Sequence, residues 1–263
     1  MPDNTNDRHM SICPVCGIAD WASVYRIGRW DIGECKACGF ARIDPMPDRE
    51  LRAEFYSEEK VVSRNTKEQT ASQRFSRSMK RFFSRIGGRS KSGIFYDKLS
   101  HYLSAGSKIL DLGCGDGSFL RSAKRCFLCT GVEISGYLAG LAKDKGGIKV
   151  INGNFLEMEI GEKFDGITMI SLLEHLDDPA KALKICFGLL NRNGVLLIKT
   201  INYGCLNRMI KRESWSGFRP PDHMVYFTPR NLKQLLEKAG FAGIKVSAWP
   251  FNDNMYCDAH KIG

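Results

Sequence analysis

No stretch of this 263-residue chain approaches the 18 or more consecutive apolar residues that a membrane-spanning helix needs. The first ten residues, MPDNTNDRHM, have no apolar core of the kind a secretory leader carries, so the expected compartment is the cytoplasm. Internal repeats and long low-complexity tracts are missing too, which excludes solenoid and fibrous architectures. Acidic residues are scarce in one place only. Residues 60–101 hold two of them against eleven Lys and Arg, while the rest of the chain holds 27 against 28. The net charge of +10 therefore belongs to one segment and does not describe a uniformly basic nucleic-acid surface. Of the ten cysteines, six are scattered among apolar residues, which speaks against a disulfide framework. What remains is ordinary for a water-soluble globular chain: 43% hydrophobic and 26% charged residues.

Three parts are expected: 1–45 with two cysteine pairs, 46–103 basic and helical after the turn Asp44-Pro45-Met46-Pro47, and 104–263 alternating strand and helix signals. In the last part, strands are expected at Lys108–Leu112, Cys129–Ile134, Ile148–Ile151, Phe164–Ile170, Gly194–Thr200 and Ile244–Trp249. A helix is expected over about Pro179–Leu190. Another opens at Thr228-Pro229, in the cap-plus-proline pattern, and stops at Gly240. Residues 250–263 carry no convincing strand signal, so the sheet is expected to end there. The fold class is α/β: a doubly wound, mostly parallel sheet covered on both faces, with a small ribbon in front.

The strand ending in Asp111 runs into Gly113-Cys114-Gly115-Asp116-Gly117 and then the start of a helix at Ser118. Glycine permits positive φ and lets a ligand approach the backbone. Dinucleotide binders space their glycines G-x-G-x-x-G, with pyrophosphate at the helix N-terminus. Here the spacing is G-x-G-x-G, and Asp111 and Asp116 suit a cationic ligand better than a pyrophosphate. In these residues the sequence resembles class I methyltransferases that use S-adenosylmethionine (SAM), and the match extends over most of 104–243. The resemblance makes Asp111, Gly113, Cys114, Gly115 and Gly117 the first cofactor motif. It assigns Glu133 to the ribose hydroxyls and the loop Asn152–Phe155 to adenine, with Asn154 and Phe155 in contact. Asn154 stands where the family usually carries Asp; it keeps an acceptor and adds a donor. Asp165–Leu176 matches the fourth motif and brings Ser171 and Leu172 to the cofactor, and Asn191–Thr200 matches the fifth.

Two histidines fall where chemistry is expected. His175 lies just past the fourth strand, and His223 follows the fifth strand and the loop Trp215–Pro221. Each reads either as a general base or as a residue holding local structure: a helix cap for His175, a loop anchor for His223. His9, His101 and His260 have no such context. Relatives that methylate quinone precursors carry an acid three residues before Glu174; Ser171 occupies that place here, so no catalytic metal is expected.

Cys13, Cys16, Cys35 and Cys38 form C-x2-C-x18-C-x2-C, a spacing of zinc ribbons, and Gly17 and Gly39 suit the knuckle turns that follow each pair. Four thiolates fill a tetrahedral shell, so this zinc is expected to be structural. The segment resembles the ribbon ahead of many bacterial small-molecule methyltransferases, whose P-x-P and F-Y elements match Pro45–Pro47 and Phe55-Tyr56. In the basic segment, Phe75, Met79, Phe82, Phe83 and Ile86 make a stripe of helical period. That stripe reads as a cap packed over the cofactor, with Gly87–Gly93 as its hinge. Contact of residues 74–91 with a membrane or a phosphate-rich acceptor is the other reading. The expected activity is methyl transfer from SAM to an O, N or C atom of a small or lipid-linked metabolite. Ribosomal or transfer RNA methylation and a non-catalytic scaffold are the alternatives. The oligomeric state is left open.

Overall fold

The computed structural model describes residues 12–55, 57 and 91–263. The Phe75–Ile86 stripe and most of the Gly87–Gly93 stretch lie outside these. Lys91–Gly93 do not act as a hinge: they open α2 (Lys91–Tyr102). Phe95 and Leu99, one turn apart on that helix, are fully buried, so packing draws the helix past the polar residues that suggested a break.

Strands β4 (Lys108–Leu112), β5 (Leu128–Glu133), β6 (Lys149–Asn152), β7 (Phe164–Ile170), β8 (Leu190–Ile201), β10 (Ala242–Ala248) and β11 (Asn254–His260) form one sheet in the order β10-β11-β8-β7-β4-β5-β6. Alternation along β4 sends Leu110 and Leu112 into the apolar cluster on one face and Ile109 into the cluster on the other. The chain leaves β4 toward β5 on one side and returns to β7 on the other. The switch point therefore opens at the carboxyl ends of β4 and β7, where such sheets bind ligands.

The crossovers carry the capping chemistry their sequences specify. In α4 (Gly136–Gly146), Ser135 caps the first turn and Gly147 ends the helix at φ 54°. Asp178 caps α5 (Pro179–Leu189), and a reciprocal Thr228/Asn231 box caps α7 (Pro229–Lys238), each with proline in the first turn. The short α3 (Ser118–Ala123) starts directly from the glycine loop, and α6 (Leu206–Lys211) follows β8.

Residues 250–263 correct the expected end of the sheet. They hold β11, antiparallel to both β8 and β10, and this strand carries a buried charge: Asp258 accepts two hydrogen bonds from Lys98 Nζ (2.7 and 2.6 Å) and one from Tyr102 at 3.0 Å. Strand β8 also begins earlier than the Asn-Arg-Asn-Gly turn suggested. The irregularity between Phe164 and Gly166 on β7 absorbs that turn, with Asn193 at φ 63°.

A second, antiparallel sheet lies at the N-terminus: β1 (Trp21–Ile27), β2 (Trp30–Cys35) and β3 (Ala41–Asp44), followed by α1 (Arg49–Phe55). Its fourth strand is β9 (Val225–Tyr226), contributed from beyond β8. Phe40 packs at a tilt against Phe227, ring centroids 5.2 Å apart, and ribbon and main-sheet side chains share one apolar cluster. Among the described residues no helix is long and apolar enough to cross a membrane.

Candidate active site

At the carboxyl end of β4 the chain turns through Gly113, Gly115 and Gly117, all at positive φ. Two of these turns are closed by packing. A Cβ on Gly113 would stand 2.9 Å from the Leu172 side chain, and one on Gly117 2.9 Å from Ala142. Gly115 differs: nothing lies within 4 Å of its missing Cβ, so its face of the loop is open. Cys114 is buried, with Sγ packed toward Gly131 on β5, so it contributes backbone to the loop's open side.

Glu133, at the end of β5, braces this loop. Its Oε2 accepts from Gly115 N–H at 2.8 Å and its Oε1 from Ser135 N–H at 2.9 Å. A carboxylate offers about four lone-pair positions, so roughly two remain for hydroxyl donors. Asn152 holds the neighbouring turn through Nδ2 bonds to the carbonyls of Glu133 and Ile134. Asn154 uses its side-chain oxygen on Leu156 N–H at 3.1 Å, and Phe155 is buried beside it. Asp116, two residues ahead of α3's first residue, accepts from Ser118 N–H and pairs with Arg121.

Asp111 lies under the loop, fully buried, and accepts from Thr168 Oγ1 at 2.6 Å. Burial drives its carboxyl up to about 7. Thr168 opposes the rise and the Glu133 charge adds to it. A buried carboxylate in this state is stabilised by a cation placed nearby. Open glycine backbone, a half-satisfied Glu133 and an ionisable Asp111 beneath them fit a ligand with a diol and a positive charge, the donor set SAM presents.

Across the switch point, β7 is followed by Ser171, a non-glycine residue at φ 56°. Its hydroxyl accepts from Nζ of Lys199, a buried lysine on β8, and Leu172 covers Gly113. A single tight turn, Leu173–His175, follows. Within it Glu174 is buried and accepts from Thr200 Oγ1 at 2.7 Å. His175 and His223 meet edge to face, ring centroids 4.9 Å apart.

Asp222 joins them. His175 Nδ1 lies 2.8 Å from the Asp222 carbonyl and 2.8 Å from its carboxylate, and Arg219 pairs with the same carboxylate. His223 Nδ1 donates to the Gly217 carbonyl at 2.7 Å, which anchors the Trp215–Pro221 loop. With both Nδ1 atoms donating, each Nε2 is left as an acceptor. Burial works against charge on His175, but the Asp222 hydrogen bond and charge outweigh it and raise the imidazole's pKa. Burial and the adjacent His175 push His223 the other way, down to about 4. Burial also opposes the Asp222 carboxylate, yet its His175 bond and the neighbouring cations hold it at about 2. Thr168, Lys199, Asp222 and Arg219 were not singled out from the sequence. Asp222 stands next to His223 in sequence, but nothing local points its carboxylate at His175.

Cys13, Cys16, Cys35 and Cys38 converge in the ribbon. Cys13 and Cys38 sulfurs are 3.6 Å apart and those of Cys16 and Cys35 3.5 Å, all four lying within 4.8 Å of one another. Tetrahedral zinc thiolates at ~2.3 Å place their sulfurs about 3.8 Å apart, so the cluster has the dimensions of a zinc shell. Gly17 and Gly39, both at positive φ, close the knuckles by donating to Cys13 and Cys35 carbonyls. Glu174, His175 and His223 also bring ligand-type atoms within 4.8 Å, in a setting where Thr200, Asp222 and Gly217 already bond them.

An open glycine loop at the switch point of the β10-β11-β8-β7-β4-β5-β6 sheet, braced by an acid at the end of β5, defines an α/β protein of the class I methyltransferase fold. The chain belongs to the methyltransferase domain family, whose profile matches residues 70–246. It is similar to a ubiquinone biosynthesis O-methyltransferase of Coxiella burnetii, 31% identical over 155 residues. That match covers 54% of this chain and 66% of the relative, less than two thirds of the relative's length. A Pseudomonas fluorescens protein of the same name is 33% identical over 106 residues, 37% of this chain and 46% of the relative. Among solved structures, the Synechocystis magnesium protoporphyrin IX methyltransferase with bound SAH shares the fold at TM-score 0.61 and 16% identity, over 81% of this chain and 100% of that one. A possible histamine N-methyltransferase from Thermotoga maritima does so at TM-score 0.52 and 21% identity, over 72% and 96%.

Proposed function

We propose that the chain transfers the methyl group of SAM to an oxygen atom of a small or lipid-linked hydroxylated acceptor. The open Gly115 face beside Glu133 is the observation that carries this reading, and the names of the curated relatives favour oxygen over nitrogen or carbon. When bound, SAM supplies an electrophilic methyl group to an in-line displacement. The residues do the rest. Gly113 and Gly115 give backbone approach, Glu133 takes the ribose hydroxyls on its remaining lone pairs, and Asp111 balances the cation. Phe155 and Asn154 flank the base, and Ser171 and Leu172 close the other side.

His175 is the general base. Its side chain retains partial exposure, 16%, whereas His223 is sealed. Nε2 takes the acceptor's proton, and Asp222 on Nδ1 steadies the imidazolium that forms. Asp222 is a positioning residue, and His223, neutral near pH 7, fixes the Trp215–Pro221 loop against His175. The four ribbon cysteines hold a structural zinc with no open coordination position. Isothermal calorimetry with SAM tests the donor half: saturable binding is expected, and no heat from folded, zinc-replete protein would sink it. Labelled SAM with a panel of phenols and catechols tests the acceptor half.

A further inference from the structure

Ten large apolar side chains stand exposed among the described residues, and four of them come from two segments that touch. Met209 and Ile210 project from α6; Trp249 and Phe251 flank Pro250 on the turn joining β10 to β11. Their exposures are 57%, 71%, 72% and 67%, so none is merely grazing the surface. Leu206 N–H donates to the Pro250 carbonyl at 2.7 Å and Asn207 Nδ2 to that of Phe251 at 2.8 Å, so helix and turn form one surface.

The charge around this surface has one dominant sign. Lys211 and Arg212 directly follow Ile210 and are exposed, with Glu213 the adjoining acid. The turn's own acid, Asp253, is engaged inward by Trp215 Nε1 and Asn207 Nδ2, each at 3.0 Å. Aromatic and aliphatic tips beside lysine and arginine match the layered chemistry of an anionic bilayer surface. Lysine is depleted in protein interfaces, whereas basic side chains flanking apolar tips are the usual pattern at a bilayer surface.

We propose that α6 and the 249–251 turn seat the protein on an anionic phospholipid surface. Trp249, Phe251, Met209 and Ile210 enter to headgroup depth, and Lys211 and Arg212 contact the headgroups. Because β8 ends at Ile201 and β11 starts opposite it at Asn254, this surface lies on the same carboxyl edge as the Ser171–His175 turn. Docking there brings the acceptor side to the bilayer, and that consequence rests on the methyltransferase reading.

The test is co-sedimentation of the full chain with phosphatidylglycerol–phosphatidylcholine vesicles, against phosphatidylcholine alone, with SAM calorimetry on the same samples. Wild type is expected to pellet with the anionic vesicles only. Trp249→Ser with Phe251→Ser should weaken this at least about tenfold, and Lys211→Ala or Arg212→Ala about fivefold each. SAM affinity should be the same in all of them. Failure of wild type to pellet overturns the proposal. So does undiminished pelleting of the double variant, which would move the contact to another face, or a change confined to self-association in light scattering. A failed methyltransferase reading would show separately, as missing SAM binding in wild type with sedimentation untouched.

Discussion

The cradle at the ends of β4 and β5 and the histidine cluster beyond β7 share one edge of the sheet but are assembled differently. The cradle draws on 111–117, 133–135 and 152–156, one continuous strand–helix run in which Glu133 and Asn152 side chains bond main-chain groups of neighbouring turns. The cluster joins His175 to Asp222, 47 positions away, and Asp222 sits three residues before a strand that completes the ribbon sheet. Glycine turns and main-chain donors fix the first almost independently of the rest. The second depends on distant parts staying in place, above all on the ribbon: β3 pairs with β9, Ile43 N–H bonds the Met224 carbonyl, and Tyr203 bonds Glu34. Donor binding and acceptor chemistry should therefore be separable.

The largest effect comes from removing zinc. Structural zinc contributes about 10–16 kcal/mol of binding free energy in ribbon-sized units, enough to decide whether the ribbon folds. Chelation, or Cys16→Ser, should release β3 from β9 and loosen the Trp215–Phe227 region. Methyl transfer is then lost while calorimetric SAM affinity is largely kept. Equal loss of both would show that the two halves are one unit.

His175→Ala acts on the acceptor half alone and should lower kcat about 10²–10⁴-fold, with SAM affinity unaltered. Glu133→Ala is its counterpart in the cradle. It strips the acceptor from two backbone N–H groups and from the ribose, and hydrogen bonds to a charged group are worth ~1.5–3 kcal/mol each. SAM should bind roughly 100-fold more weakly, and the pH inflection of the residual rate should not move.

The same contrast explains what could be read from sequence. The cradle was legible because its residues are near one another and their types are dictated by backbone geometry: Gly113, Gly115 and Gly117 need positive φ, and Glu133 closes the next strand. The zinc ligands were legible for the same reason. Asp222 was not, since nothing local says that its carboxylate faces a histidine 47 residues earlier. β11 was hidden by its own composition. An aspartate in the middle of Asn254–His260 looks unlike a buried strand until Lys98 neutralises it and Tyr102 hydrogen-bonds it, from 160 and 156 residues away. The pairing of β9 with β3 had no local signature either, because two residues are too few for a periodic pattern.

The smallest effects are in pH dependence, and they divide the halves most cleanly. His175 has a raised pKa and acts in its neutral form, so kcat/KM should climb as pH rises through that pKa and level off above it. Asp222→Asn removes the charge responsible, so the inflection should move to lower pH, with a severalfold loss on the plateau; a structural role alone would lower the plateau and leave the inflection in place. The pair also contributes to stability. The raised His175 pKa gives wild type an advantage that is complete below the unfolded value of about 6.5 and fades as pH rises through the folded one. In the cradle the titrating group is Asp111, raised to about 7 by burial. A bound sulfonium favours its ionised form, so SAM affinity should increase with pH up to about 7, by no more than about tenfold per unit, and then flatten. Asp222→Asn should leave that binding curve where it is, and Thr168→Val, which deletes the hydroxyl donated to Asp111, should shift it to higher pH without touching the inflection in kcat.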